Sequence, residues 1–344
     1  MKAAYFVKKG LVEAREVEDA TLEQDTDAVI RVIRACVCGS DLWWFRGISD
    51  RLEGTVGHEA IGIVEAVGDK VDNVKVGDFV IAPFTHGCMK CKICKAGFDS
   101  NCPNVEVGGN KGYQSEKLRF KNASALVKIP GQPSDYTEEQ LNDLLTLSDV
   151  MATGYHAAAS AEVKPGDAVA VIGDGAVGLC GVIAAKLRGA EEIILLSHHE
   201  DRAALGKEFG ATDIVSERGE DAVKKVLELT DGYGADAVLE CVGASSSIDQ
   251  AGQIARAGAV VGRVGVPQKE PETNKFFWKN VGWRGGIANV TTYDQEVLLD
   301  AVLKGEIHPG KVFTKSFDLD HVQEAYDAMD QRQAIKSLLV VADK

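Results

Sequence analysis

The sequence predicts an α/β protein of two domains, one mostly β and one a doubly wound parallel sheet. Three observations carry this. The first part of the chain is built of short Val- and Ile-rich runs cut by Gly, Asp and Asn, a later part alternates strand and helix patterns, and the style changes near residue 150. At 344 residues the chain is long enough for two cores, each buried on its own.

In the first part, DAVIRVIRACVCG, AIGIVEAVG and DFVIAPF read as strands separated by turns, which suggests Greek-key or barrel character. The opening MKAAYFVKKGLVEAREVE is also strand-like and lacks the apolar core of a secretory leader, and no run reaches transmembrane length. A helical stripe of Leu141, Leu144, Leu145 and Leu147 follows behind the early-turn acids Glu138 and Glu139. From Pro165 the runs DAVAVIG, EEIILLS, ADAVLECVG and AGAVVGRVG are buried strands with helices between the earlier ones, the signature of right-handed crossovers on a parallel sheet. The tail, with FTKSFDL and AIKSLLVVAD as strands and DHVQEAYDAMDQ as a helix, returns to the first domain's style. The expected division is therefore residues 1–150 with 295–344, and residues 151–294, with an active site in the cleft between.

Composition narrows the function. Hydrophobic content of 45% and charged content of 26% are those of an ordinary globular chain, which excludes disordered and fibrous classes. A net charge of −14 without an offsetting basic block excludes nucleic acid or an anionic membrane as the main partner, leaving a small molecule. The eight cysteines, with no leader, are expected in a reducing cytoplasm, where clustered Cys bind metal more often than they form disulfides.

Two cysteine patterns stand out. In ACVCGSDLWWFRGISDRLEGTVGHEAIGIVEAVG, the thiol of Cys38 and the adjacent imidazole and carboxylate of His58 and Glu59 flank strand-like runs. Soft sulfur, borderline nitrogen and hard oxygen suit zinc, and three protein ligands leave a position open for chemistry. Asp149, far along the chain in LSDVMATGYH, is a further candidate, and its plainer role is a helix cap. Cys36, two residues before Cys38, reads as a small core residue. The second pattern is C-x2-C-x2-C-x7-C at Cys88, Cys91, Cys94 and Cys102, a four-thiolate set that closes a tetrahedron and holds a structural zinc in a lobe of about residues 86–104.

The turn after the first parallel strand is GDGAVG, with Gly173, Gly175 and Gly178 spaced G-x-G-x-x-G and Ala176 and Val177 opening the next helix. That context is a dinucleotide cradle: the first glycine turns, the second lets backbone meet a pyrophosphate, and the third packs helix on strand. An NAD site places an acid at the end of the second strand, whereas here Ser197 stands there, followed by His198, His199 and Arg202. A small hydroxyl beside cationic candidates suits a 2′-phosphate, so NADP(H) is the expected cofactor. Glu200 and Asp201 keep NAD(H) open.

Along nearly its whole length the chain resembles the zinc-dependent medium-chain alcohol dehydrogenases, through CGSD, GHEAIG, the four-Cys lobe, DVMATGYH, GDGAVG, GATDIV and the GVP and GG segments near Val266 and Gly285. The resemblance implies a GroES-like catalytic domain, a Rossmann domain, and a homodimer or homotetramer. It also implies a catalytic zinc on Cys38, His58 and Asp149 with Glu59 as a fourth or exchangeable ligand, and a proton-passing hydroxyl at Ser40. Thr153, Val242 and Val266 are implied at the cofactor. The implied reaction is reversible hydride transfer between a secondary alcohol or ketone and NADP(H), with NAD-dependent polyol, sugar-alcohol or threonine dehydrogenases as alternatives and a non-catalytic NADP(H)-binding regulator as a third. One departure is Trp43, which stands where the family often carries a relay histidine. Trp43, Trp44, Phe84 and Trp283 are candidates to line an apolar pocket or, alternatively, to pack ordinary cores.

Overall fold

The computed structural model describes residues 1–107, 112–267 and 272–343. The chain forms two compact units, Met1–Asp149 with Asn289–Lys344, and Val150–Ala288.

The first unit is organised around the strand Ala28–Cys36, buried at every position except Arg31. Such a strand has no wet face, which is why its sequence reads as a nearly continuous apolar run. It pairs antiparallel with Ala60–Val67, Lys117–Phe120 and Lys336–Val340. Phe79–Ala82 and Val127–Ile129 extend this seven-stranded sheet on one side, and Phe313–Phe317 lies parallel to Lys336–Val340 on the other. A separate three-stranded sheet holds Leu11–Glu16, Lys2–Lys8 and Gly54–Thr55. The core includes Ile30, Val32, Val64, Tyr113, Phe120 and Tyr326, a GroES-like arrangement of small sheets around one apolar interior.

Register places the functional residues. Ala35 pairs with Ala60 and Cys36 with Leu338, so the chain leaving toward Cys38, the chain arriving from His58 and Glu59, and Lys336 all meet at one end of the ladder. The helix Glu138–Thr146 delivers the remaining piece. Its start is fixed by a capping box between Thr137 and Gln140, its buried Leu141, Leu144 and Leu145 pin it to the core, and Asp149 follows its last turn.

The second unit is a six-stranded, all-parallel sheet in the order Asp213–Val215, Glu192–Leu196, Ala168–Ile172, Ala235–Glu240, Ala255–Arg263 and Gly282–Gly285. In order of appearance this is 3-2-1-4-5-6, the Rossmann arrangement, whose switch point lies beyond the first strand, where open α/β sheets bind ligands. Among the described residues no helix is long and apolar enough to cross a membrane.

Candidate functional site

Cys38, His58, Glu59 and Asp149 each present one donor atom, and all of these atoms lie within 4.8 Å of one another. Cys38 Sγ is 3.6 Å from Asp149 Oδ2, and His58 Nε2 is 3.3 Å from the same oxygen and 3.9 Å from Glu59 Oε1. On the other side of the imidazole, His58 Nδ1 faces Asp41 Oδ1 at 3.5 Å. The second Asp41 oxygen accepts from the Cys38 amide at 3.0 Å, so one buried carboxylate steadies both neighbours. Gln114 supports this layer by donating to the Cys36 carbonyl and accepting from the Tyr326 hydroxyl.

Glu59 is fully buried. Its Oε1 accepts from Lys336 Nζ at 2.7 Å, and its Oε2 has no hydrogen-bond partner. Burial pushes the Cys38 thiol up; Lys336 opposes that shift, while Asp149 and Glu59 reinforce it. Burial likewise raises the Glu59 carboxyl, again against Lys336. A buried thiol and two carboxylates beside one ammonium lack positive charge, which is costly in a low-dielectric interior. The mixed donors and the orphaned Glu59 oxygen therefore fit a zinc ion.

The four-thiol cluster differs in kind. Cys88, Cys91, Cys94 and Cys102 also converge within 4.8 Å, with Cys91 Sγ 3.5 Å from Cys94 Sγ and 3.7 Å from Cys102 Sγ. Backbone amides aim at the sulfurs: Cys94 N at Cys91, and Cys88 N and Asn104 N at Cys102. Burial opposes ionisation of Cys88, but the amides of Lys90 and Cys91 outweigh it and bring this thiol down to about 6. Cys94 is pushed up to about 12 by burial and by Cys91 and Cys102. Four thiols gathered at one point at this spacing fit a closed, structural zinc.

In the second unit, Gly173 has φ +112°, and a Cβ on Gly178 would stand 1.9 Å from the Gly173 carbonyl oxygen, so both positions require glycine. Gly175 caps the helix Ala176–Leu187, and a Cβ there would meet nothing within 4 Å. Its backbone is open to an anion at a helix N-terminus, beside Ala176 and Val177. The first two strands pair Ile172 with Leu196, which brings Asp174 and Ser197 together just beyond their ends. Ser197 Oγ donates to Asp174 Oδ2 at 2.9 Å, His199 Nδ1 lies 2.8 Å from that oxygen, and Arg202 Nη1 is 3.4 Å from Oδ1. His198 gives its amide to Asp174, while its ring turns to the Ser216 carbonyl. Val242 and Val266 are partly exposed beyond neighbouring strands, and Val242 Cγ2 lies against Gly173. Thr153 is half-buried on the helix Val150–Ser160.

Several other candidates are placed by packing. Trp44 is core, edge-on to Phe6 at 4.8 Å, beside Tyr326 at 5.5 Å and under the Arg51 guanidinium at 4.7 Å. The helix Asp41–Phe45 that buries it leaves Trp43 half-exposed, and Ser40 is exposed at the helix start. Phe84 lies 6.0 Å from the His58 ring. Trp283 packs on Phe276 at 5.9 Å and against the second unit's apolar core, which includes Val238, Ala251 and Val261. Cys36 is buried in the core. His156 is buried in its helix, and burial brings its pKa down to about 4. His86 stacks on Phe120 and bonds the Lys121 carbonyl. Three residues that sequence reasoning leaves without a role are brought beside the candidate sites by the structure: Asp41, the last residue of CGSD, Asp174, inside GDGAVG, and Lys336, which no motif marks.

A GroES-like unit and a Rossmann unit on one chain, together with these donor sets, define a zinc-type oxidoreductase. Residues 24–131 match the family described as alcohol dehydrogenase GroES-like domain, and residues 176–298 that described as zinc-binding dehydrogenase. The chain is 31% identical to the uncharacterised zinc-type alcohol dehydrogenase-like protein AdhB of Bacillus subtilis, with 96% of this chain and 97% of that protein covered. It is 30% identical over 334 residues to the NADP-dependent isopropanol dehydrogenase of Clostridium beijerinckii, covering 92% and 93%. The solved structure of alcohol dehydrogenase TADH from Thermus sp. ATN1 superposes with a TM-score of 0.90 at 31% identity, covering 99% of this chain and 100% of that one. The chain belongs to the zinc-dependent medium-chain alcohol dehydrogenases.

Proposed function

We propose that the protein interconverts secondary alcohols and ketones with NADP(H), at a site built on Cys38, His58 and Asp149. The observation that carries this is the convergence of those side chains and Glu59 from three distant segments onto one buried point. Cys38, His58 and Asp149 would hold a zinc ion, which would supply Lewis acidity toward a substrate oxygen. The nicotinamide supplies the hydride acceptor or donor.

The chain's own residues do the rest. Asp41 fixes the His58 ring and the Cys38 backbone, and Lys336 holds Glu59 as a fourth or exchangeable donor beside the three ligands. Ser40, exposed two residues beyond Cys38, takes the substrate proton toward water. Trp43 has no exchangeable base with which to continue the relay. Gly173, Gly175, Ala176, Val177 and Gly178 receive the pyrophosphate, with Ser197, His198, His199 and Arg202 at the adenosine 2′ position and Thr153, Val242 and Val266 toward the nicotinamide. Cys88, Cys91, Cys94 and Cys102 hold a second zinc with no open position. A cytoplasmic homodimer or homotetramer completes the proposal.

The absence of an acid at Ser197 and the His198, His199 and Arg202 side chains that follow it support NADP(H), as does the name of the Clostridium relative. Kinetics on a panel of secondary alcohols, ketones, polyols and threonine, with both dinucleotides, test the proposal. Turnover confined to polyols or threonine overturns the substrate class, and a tenfold NAD preference in kcat/KM, about 1.4 kcal/mol, overturns the cofactor assignment.

A further inference from the structure

The end of the second strand of the Rossmann sheet does not lack a carboxylate; it receives one from the first strand's turn. Asp174, between Gly173 and Gly175, is 13% exposed, and its Oδ2 gathers Ser197 Oγ, the His198 amide and the His199 ring at 2.9, 3.2 and 2.8 Å. Its Oδ1 meets Arg202 at 3.4 Å, leaving acceptor capacity on that oxygen. Burial works against the carboxylate charge, but His199, Ser197 and Arg202 outweigh it, and the group stays below the usual range and ionised at neutral pH.

We propose that Asp174 sets the dinucleotide selectivity. It supplies the acceptor missing from the second strand's end, takes the ribose 2′-hydroxyl of NAD(H), and restrains the preference for NADP(H) by keeping His199 and Arg202 as its own partners. This rests on the assignment of the Ser197 region to the adenosine 2′ position. The chemistry follows from charge. A 2′-hydroxyl donates to a carboxylate, whereas a 2′-phosphate brings further negative charge beside it and competes for the same His199 ring and Arg202 guanidinium. Glu200 and Asp201, both exposed on the next helix, are screened by water and contribute less.

Asp174→Asn keeps the size and removes the charge. The expected result is a rise of about tenfold in the NADP-to-NAD ratio of kcat/KM, mostly through KM. Calorimetry on the protein with 2′,5′-ADP and with AMP reads the same selectivity without turnover, and the affinity ratio should move in the same direction by a similar factor. Glu200→Gln should shift either ratio by less than about threefold. If the Asn variant does not fold, Asp174→Ser replaces it. A ratio that stays within about twofold, or that falls, overturns the proposal; a fall would mean that Asp174 positions His199 and Arg202 for the phosphate. The outcomes stay separable. A wild-type preference for NAD defeats the NADP assignment and leaves the role of Asp174 standing if the variant still shifts the ratio, whereas a wild-type preference for NADP with an unmoved ratio defeats the role alone.

Discussion

The four-thiol cluster and the Cys38 cluster are both compact sets of donors in the first unit, yet they are built in opposite ways. The first draws all its sulfurs from Cys88 to Cys102 and positions them with its own backbone amides. The second draws on three segments and depends on strand register and a helix end for its assembly. A local site can staple a loop, because its ligands are near neighbours before folding. A long-range site reports on the whole fold and can keep an open coordination position, since no single loop encloses it.

The sharpest way to break this comparison is to remove one thiol from each. Cys38→Ser should lower kcat/KM by about a thousandfold or more, on the order of 4 kcal/mol, while native mass spectrometry shows one zinc lost and one retained. Equal zinc loss from both clusters would contradict their independence. Cys91→Ser should do the reverse: a melting temperature lower by about 10 °C, with kcat per folded molecule within about threefold of wild type.

Next in size is the buried pair behind the long-range site. Lys336 and Glu59 are 1% and 0% exposed, so Lys336→Met leaves a buried carboxylate without its countercharge and should cost about 3–5 kcal/mol in thermal or urea unfolding. The double variant with Glu59→Gln should recover most of that loss, and a double variant as unstable as the single one would argue that the lysine acts through packing alone.

The smallest effect belongs to the flank of the local site. Asp99, inside the four-thiol segment, bonds Thr292 Oγ1 at 2.7 Å, and Asp294 nearby is buried with neither oxygen partnered. Burial first, and Asp99 second, hold the Asp294 carboxyl well above its ordinary 3.8. The folded state then keeps a proton that the unfolded state releases, so the group's contribution is lost as pH rises above about 4. Asp294→Asn should therefore raise the melting temperature by more at pH 8 than at pH 5, by about 1–2 kcal/mol in stability. Equal gains at both pH values would mean that the acid is ionised in both states.

What was legible in the sequence follows the same division. The four-thiol set was fully readable because its spacing is its geometry, and the G-x-G-x-x-G turn was readable because a strand precedes it and a helix follows. Cys38, His58, Glu59 and Asp149 were readable as residue types, while their meeting needed the pairings Ala35 with Ala60 and Cys36 with Leu338. Asp174 and Lys336 were missed because each looks like an ordinary surface charge until register places it. The adjacent Trp43 and Trp44 could not be told apart, since the direction of a five-residue helix decides which of them is buried.

The lysine that neutralises Glu59 lies on the far side of Val150–Ala288 in the chain. During synthesis the ribosome must therefore finish the entire Rossmann segment before that lysine exists. The dinucleotide fold can mature while its sister is still incomplete, and the Cys38 cluster is among the last parts of the newborn chain to become stable.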